Sequence, residues 1–511
     1  MFLRGSLIPI MVLASVVATA AEVASAPEHR VRPGEVYETV VLEDHASVTP
    51  FPHFWEEMFG SGRAILALRQ DYLQDAKEVQ KVTKFRYVRF HGILDDEVGV
   101  YIQRRRQPLE YNFSYVDQIY DGLLALGIRP FVEISFMPEA LASNPNTLHP
   151  FWYHPNVSPP KDYTGWDNLI RAFAQHLVDR YGINEVSQWY FEVWNEPNID
   201  FWQGVPKQAT YFDLYAHTAR TLKEVSPRLR VGGPATAQTA WVSQFIAWCT
   251  QNHVPIDFIS SHIYGDEKPT HVFGKDFAGT ISKDEMVYLG VKKLHDEIVA
   301  SAQPTLPLFI SEFNAGFKNL GSRDTLYVGP FLANTIRQCD GLAKMMSFWT
   351  FSDIIEEQGP PRTPFHGSFG LFTYDGIPKP SFVDFELLHK LGDERLANSA
   401  DDVIVTKTSS GRMVLAAWNL VDPGTADSTK TIHFDLKNLN VTSASILRVD
   451  RKHSDTLALY RKMGSPQYPT SVQIRSLSED SRLMPPEIVP IRQHGFDVVL
   501  PSNALTIITL K

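Results

Sequence analysis

From about residue 50 to 395, apolar runs rich in β-branched and aromatic residues alternate with stretches of helical periodicity. The runs are Phe51–Phe59, Phe85–Phe90, Arg129–Phe136, Trp189–Trp194, Leu229–Gly232, Asp257–Ile263, Leu308–Phe313 and Met345–Phe351. Each is nearly continuous in apolar character, as strands buried on both faces should be. The stretches between them carry amphipathic spacing and stop signals. Asn112 to Leu126 ends at Gly127, Trp166 to Arg180 at Tyr181-Gly182, and Gln208 to Val225 before Ser226-Pro227. Eight such units predict an α/β chain built on a (β/α)8 (TIM) barrel. Two long loops follow strands, Ala140 to Tyr163 and Asp266 to Asp284, on the face where such barrels carry their sites.

Beyond about residue 395 the period changes. Val403–Thr406, Met413–Trp418, Thr431–Leu436, Ser443–Val449, Ser471–Arg475, Pro485–Ile491, Phe496–Leu500 and Ala504–Leu510 are short, alternating and separated by turn residues. They predict an accessory antiparallel β-sandwich, to which Val36–Leu42 adds a strand. The start of the chain reads as an export signal. Arg4 is the only charge before Glu22, Leu7 to Val17 is apolar, and Ala18-Thr19-Ala20 suits cleavage. That stretch is shorter than a bilayer span. The expected division is a signal peptide over 1–21, a sandwich-contributing segment over 22–50, the barrel over 51–395 and the sandwich over 396–511. The expected location is periplasmic or secreted.

A formal charge of −10 without a long basic run argues against nucleic acid, and no later segment resembles a membrane span. No Cys/His cluster has zinc spacing and no glycine-rich loop fits a phosphate, so neither metal nor cofactor is expected. Cys249 and Cys339 fall in barrel helices, as buried thiols or as one bridge, and two cysteines cannot make a disulfide framework. Aromatic residues reach 12%, and their faces suit both cores and sugar rings.

The chemistry-bearing segments lie at two strand ends. Tyr190-Phe191-Glu192-Val193-Trp194-Asn195-Glu196-Pro197-Asn198 ends the fourth strand, and Pro197 is expected to restrict Glu196 toward extended geometry. Phe309-Ile310-Ser311-Glu312-Phe313-Asn314 ends the seventh. In a closed barrel these ends face each other across the axis. Glycoside cleavage needs such a pair: one carboxyl to protonate the leaving oxygen, one carboxylate to meet the developing oxocarbenium ion. A separation of ~5–5.5 Å makes the second a nucleophile and retains configuration. Glu192, four residues before Glu196, points to the same side but deeper, where Arg89 is a candidate partner.

Together with the tract Phe348-Trp349-Thr350-Phe351-Ser352-Asp353-Ile354-Ile355-Glu356-Glu357, these segments resemble glycoside hydrolase family 39, from about Phe51 to Pro380. That family holds β-xylosidases and α-L-iduronidases. The resemblance implies Glu196 as acid/base and Glu312 as nucleophile. It further implies His91, Asn195 and His262 as sugar ligands, Tyr264 as the phenol orienting the nucleophile, and Trp349 as the subsite floor. Glu356, Glu357 and His366 complete the expected wall. Two acids suit the hydroxyls of a neutral sugar and would repel a uronate. The expected activity is therefore an exo-acting β-D-xylosidase acting on xylo-oligosaccharides by double displacement. The alternatives are an α-L-arabinofuranosidase, β-glucosidase or α-L-iduronidase of the same clan, or a non-catalytic carbohydrate-binding protein.

Overall fold

A computed structural model describes residues 35–43, 46–318, 321–437 and 439–511. The expected signal peptide over 1–21 lies outside the described residues. Eight parallel strands close into a barrel in sequential order. They are β1 (Met58–Arg63), β2 (Tyr87–His91), β3 (Arg129–Ile134), β4 (Tyr190–Val193), β5 (Arg230–Thr236), β6 (Phe258–Tyr264), β7 (Leu308–Asn314) and β8 (Met345–Phe348). Helices cover the outside. Ser114–Ala125 buries Val116, Ile119, Tyr120 and Leu123, one stripe at helical spacing, and Gly127 ends the turn beyond it at φ +76°. Tyr163–Tyr181 starts on Asp162, whose side chain accepts from Gly165 N at 2.7 Å, and stops at Gly182.

Alternation along the strands fills the barrel in layers. Met58, Tyr87, Phe131, Phe258, Phe309 and Met345 form an apolar plug with Tyr190 against it. Two residues further along, Arg89, Glu133, Glu192, Ser260, Ser311 and Ser347 make a buried polar layer. The next level carries His91, His262, Glu312 and Trp349. The fold thus sets the site on a rigid, charged storey rather than on the apolar plug itself.

The remaining strands form a sandwich. A three-stranded sheet runs Glu35–Val41, Thr429–Asp435, Gly495–Pro501. A seven-stranded sheet runs Glu487–Pro490, Ser443–Val449, Leu505–Leu510, Met413–Trp418, Val403–Lys407, Glu394–Leu396, Val48–Pro50. The larger sheet is apolar on both faces. Leu415, Ala417 and Ile508 pack within the sandwich, while Val414, Ala416, Trp418 and Ile507 join the barrel's core.

One expected strand is a helix. Ser471–Arg475 lies in Ser471–Asp480, where Thr470 and Gln473 form a reciprocal capping box and Ile474 and Leu477 pack on one side. The Val472/Ile474 alternation mimicked a strand, but Val472 is exposed. Cys249 and Cys339 are buried free thiols. No helix among the described residues is long and apolar enough to cross a membrane.

Candidate active site

At the C-terminal mouth of the barrel, a cavity of about 230 Å³ is lined by His91, Asn195, Glu196, Tyr264, Glu312, Trp349 and Glu357. His149 and Phe151 from the first long loop, Phe201, and Glu267 from the second complete its walls. The first loop is held over the cavity by Trp152 N, which donates to Glu357 O at 2.9 Å. A floor residue depends on an absence: a Cβ on Gly60 would fall 2.2 Å from the Trp349 indole.

Glu312 is aimed by an irregularity. His262 registers with Glu312 while Ser261 registers with Ile310, so Ser311 is bulged. Two successive residues of β7 then face inward, Ser311 Oγ donating to Glu192 at 2.6 Å and Glu312 reaching the cavity. Arg89 holds the layer together. It donates to Glu312 at 2.7 Å, Glu192 at 2.6 Å, Asn195 Oδ1 at 2.8 Å and Glu133 at 2.8 Å. Tyr264 Oη donates to the other Glu312 oxygen at 2.6 Å.

Glu196 occupies left-handed backbone at φ +42°, not the extended geometry expected before Pro197. Its N–H donates to Ala235 O at 2.8 Å and its carbonyl accepts from Ile199 N at 3.1 Å. The turn these bonds make overrides the preference imposed by the following proline. One oxygen each of Glu196 and Glu312, with a ring nitrogen of His262, lie within 4.8 Å of one another.

The electrostatics separate the two carboxyls. Burial, then the facing Glu312 and Glu267, push Glu196 well above the usual carboxylate range. Glu312 is also raised by burial, but Arg89, His91 and the Tyr264 hydroxyl oppose the rise. Glu196 is the member of the pair that keeps a proton. Burial, with Arg89 and His91, holds His262 well below its ordinary range, so the ring is neutral. Burial pushes Glu357 up to about 7.

Three expected sugar contacts take different places. His262 is fully buried behind the carboxyls, its Nδ1 2.9 Å from Glu196 and 3.5 Å from Glu312, and does not line the cavity. It shares a level with Glu312, but its ring is covered by the Glu196 and Glu312 carboxyls that stand between it and the cavity. Glu356, turned at φ +57°, gives both oxygens to Arg63 at 3.0 Å and Arg69 at 2.7 Å. It lines an adjoining hollow, as does exposed His366, whose Nδ1 faces Thr363 O at 2.9 Å. The expected repulsion of a uronate by two acids is therefore largely lost, since Glu356 is paired with two arginines and Glu357 keeps its proton up to about 7.

Sequence reasoning placed Arg89 with Glu192 but missed its bonds to Glu312 and Asn195. It also missed Glu133, 2.7 Å from His91 Nδ1. Alternation that turns Tyr87 and Phe131 inward also turns Arg89 and Glu133 inward, and that parity was the available signal.

A buried carboxyl pair at this spacing, at the C-terminal mouth of a closed (β/α)8 barrel and with one member keeping its proton, defines a glycoside hydrolase. Residues 38–495 match the family described as Glycosyl hydrolases family 39, and the chain belongs to it. It is 36% identical over 479 residues to a Beta-xylosidase of Geobacillus stearothermophilus, covering 90% of this chain and 93% of that one. It is 37% identical over 474 residues to a Beta-xylosidase of Caldicellulosiruptor saccharolyticus, covering 90% and 95%. The crystal structure of a monomeric beta-xylosidase from Caulobacter crescentus CB15 superposes with a TM-score of 0.83 at 32% identity, covering 93% of this chain and 99% of that one.

Proposed function

We propose that this glycosidase is an exo-acting β-D-xylosidase that releases xylose from xylo-oligosaccharides with retention of configuration. The observation that carries the mechanism is the facing pair, within 4.8 Å, whose surroundings leave the proton on Glu196. Protonated Glu196 gives its proton to the glycosidic oxygen as Glu312 attacks the anomeric carbon. Arg89 and Tyr264 fix both Glu312 oxygens, so the nucleophile is pre-aimed rather than freely rotating. Forming the glycosyl–enzyme ester removes the Glu312 charge. The push on Glu196 falls with it, and Glu196 becomes the base that deprotonates the attacking water.

Asn195 Oδ1 is engaged by Arg89, which turns its amide N–H pair toward the 2-hydroxyl, where a bond that strengthens in the transition state helps most. His91, Trp349 and Glu357 serve the remaining sugar surface. Xylose preference is supported by the two bacterial relatives; exo action is supported by the small cavity roofed by the first loop. Export of the chain, and the division into barrel (51–395) and sandwich (22–50 with 396–511), belong to the same proposal.

The test is a panel of nitrophenyl glycosides with proton NMR of the first-formed anomer. Preference for the β-xyloside with retention is the expected result. An inverted first product would refute the mechanism, and preference for an α-iduronide would refute the sugar. Azide rescue of Glu196→Ala, giving a β-glycosyl azide, checks the acid/base role.

A further inference from the structure

Away from the sugar-binding face, three side chains meet where the chain passes into and out of the barrel. His53 and Glu56 lie in the segment leading into β1. His389 caps the C-terminus of the last barrel helix, Pro380–Leu388. The same seam is closed by Phe51 N, which donates to Asp393 O at 2.7 Å.

One Glu56 oxygen sits between the two rings, 2.6 Å from His53 Nδ1 and 2.8 Å from His389 Nδ1. A ligand atom from each of the three lies within 4.8 Å of the others. The glutamate is 3% exposed, and its second oxygen has no hydrogen-bond partner. A buried carboxylate with an unpaired oxygen is costly unless a cation compensates it. His53 is held in place by stacking on Trp55, centroids 4.5 Å apart at 28°. The His389 side chain is 38% exposed and faces solvent on its open side.

Two imidazoles and one carboxylate are the donor set of borderline divalent metals, which take such ligands at ~2.0–2.2 Å. In a tetrahedral site those bonds put neighbouring ligand atoms about 3.3 Å apart. The Glu56 oxygen needs to part from the two ring nitrogens by about 0.5–0.7 Å, and solvent supplies the fourth ligand beside His389. We propose that His53, Glu56 and His389 form a divalent-metal site of the zinc class that staples the incoming chain to the outgoing one. Each bound imidazole gives up its Nδ1 proton to solvent or carries it on Nε2. His53 Nε2 has no acceptor to orient the ring, which removes a second-shell contribution of roughly 10–100-fold in affinity. The site is accordingly one of moderate rather than structural-zinc affinity.

The test titrates cobalt(II) into the full chain after removal of adventitious metal by a chelator. The expected result is one equivalent with the visible absorption of four-coordinate cobalt. That signal should weaken at least tenfold in Glu56→Gln and in His389→Gln, the latter on a half-exposed residue whose loss leaves the fold intact. Excess zinc should raise the melting temperature of the wild type and not of His389→Gln. Hydrolysis should be unaffected by one equivalent of metal. The trio Glu196, His262 and Glu312 offers a competing set of ligand atoms. Cobalt that inhibits hydrolysis and binds equally well to His389→Gln would place the ion there and overturn the proposal. So would the absence of any cobalt spectrum at millimolar metal.

Discussion

Replacing Gly60 with alanine asks whether one missing methyl group sets the floor of the cavity. The glycine does not occupy a left-handed conformation, so alanine is acceptable to the backbone and the contact alone is tested. Its Cβ would fall 2.2 Å from Trp349 Cε3, 2.8 Å from Cζ3 and 3.0 Å from Cδ2. Restoring ordinary contact requires the indole to move by about 1.2 Å, and displacements near 1 Å of a positioning group cost on the order of 100-fold in rate. The expectation is a kcat/KM for nitrophenyl β-xyloside about 100-fold below wild type, or about 2.7 kcal/mol of transition-state stabilisation. Overpacking should lower stability by about 1–3 kcal/mol without unfolding the barrel. Gly60→Ala/Trp349→Phe should regain stability but not activity, because the smaller ring relieves the clash without restoring the indole. A Gly60→Ala enzyme within twofold of wild type in kcat/KM would show that Trp349 does not set the reactive geometry.

Tyr264→Phe removes a hydroxyl that opposes the upward push on Glu312. The acid limb of its kcat/KM profile should therefore move to higher pH, with kcat reduced by about 10-fold or more. An unmoved limb would remove Tyr264 from that role. Glu312→Gln deletes the second-ranked cause of the raised Glu196 pKa, so carbon NMR of labelled glutamate should find Glu196 titrating at lower pH in that variant. Glu357 binds its proton up to about 7 in the folded chain but only to about 4.5 when unfolded. The folded state then holds more protons across that window, and this group lowers stability as pH rises through it. Glu357→Gln should flatten the fall in melting temperature between those values, and an unchanged slope would refute the shift. Lys379 is fully buried between Asp324 and Asp353, each at 2.7 Å. Lys379→Met leaves buried carboxylates unpaired and should cost about 3–5 kcal/mol in denaturant unfolding.

The eight barrel strands were legible because strands covered on both faces must be almost wholly apolar, a pattern helices and loops do not copy at that length. The proposed catalytic pair was legible from strand order together with the chemistry of the two segments. The manner in which Glu312 reaches the cavity was not. Strict alternation turns Ser311 inward and Glu312 outward, and only pairing with β6 reveals the bulge that turns both inward. Glu196 fails for a similar reason, since the bonds it makes to Ala235 O and from Ile199 N, which overrule the proline preference, are tertiary or lie beyond it. Glu356 and Glu357 are adjacent and chemically identical in sequence. They part company only because Arg63 and Arg69, nearly three hundred residues earlier, claim the first. The helix Ser471–Asp480 could have been read from Thr470 and Gln473, three apart, had capping been weighed above alternation.

The strand Glu35–Val41 pairs along its whole length with Thr429–Asp435. On the ribosome it emerges nearly four hundred residues before its partner, a delay of roughly 20–80 s at ordinary elongation rates. Throughout that interval the nascent chain carries an unpaired sheet edge while the barrel between the two strands is being completed. The sandwich is thus a closing step in biogenesis, and shortening the chain at its start would leave the barrel made but its companion sheet one strand short.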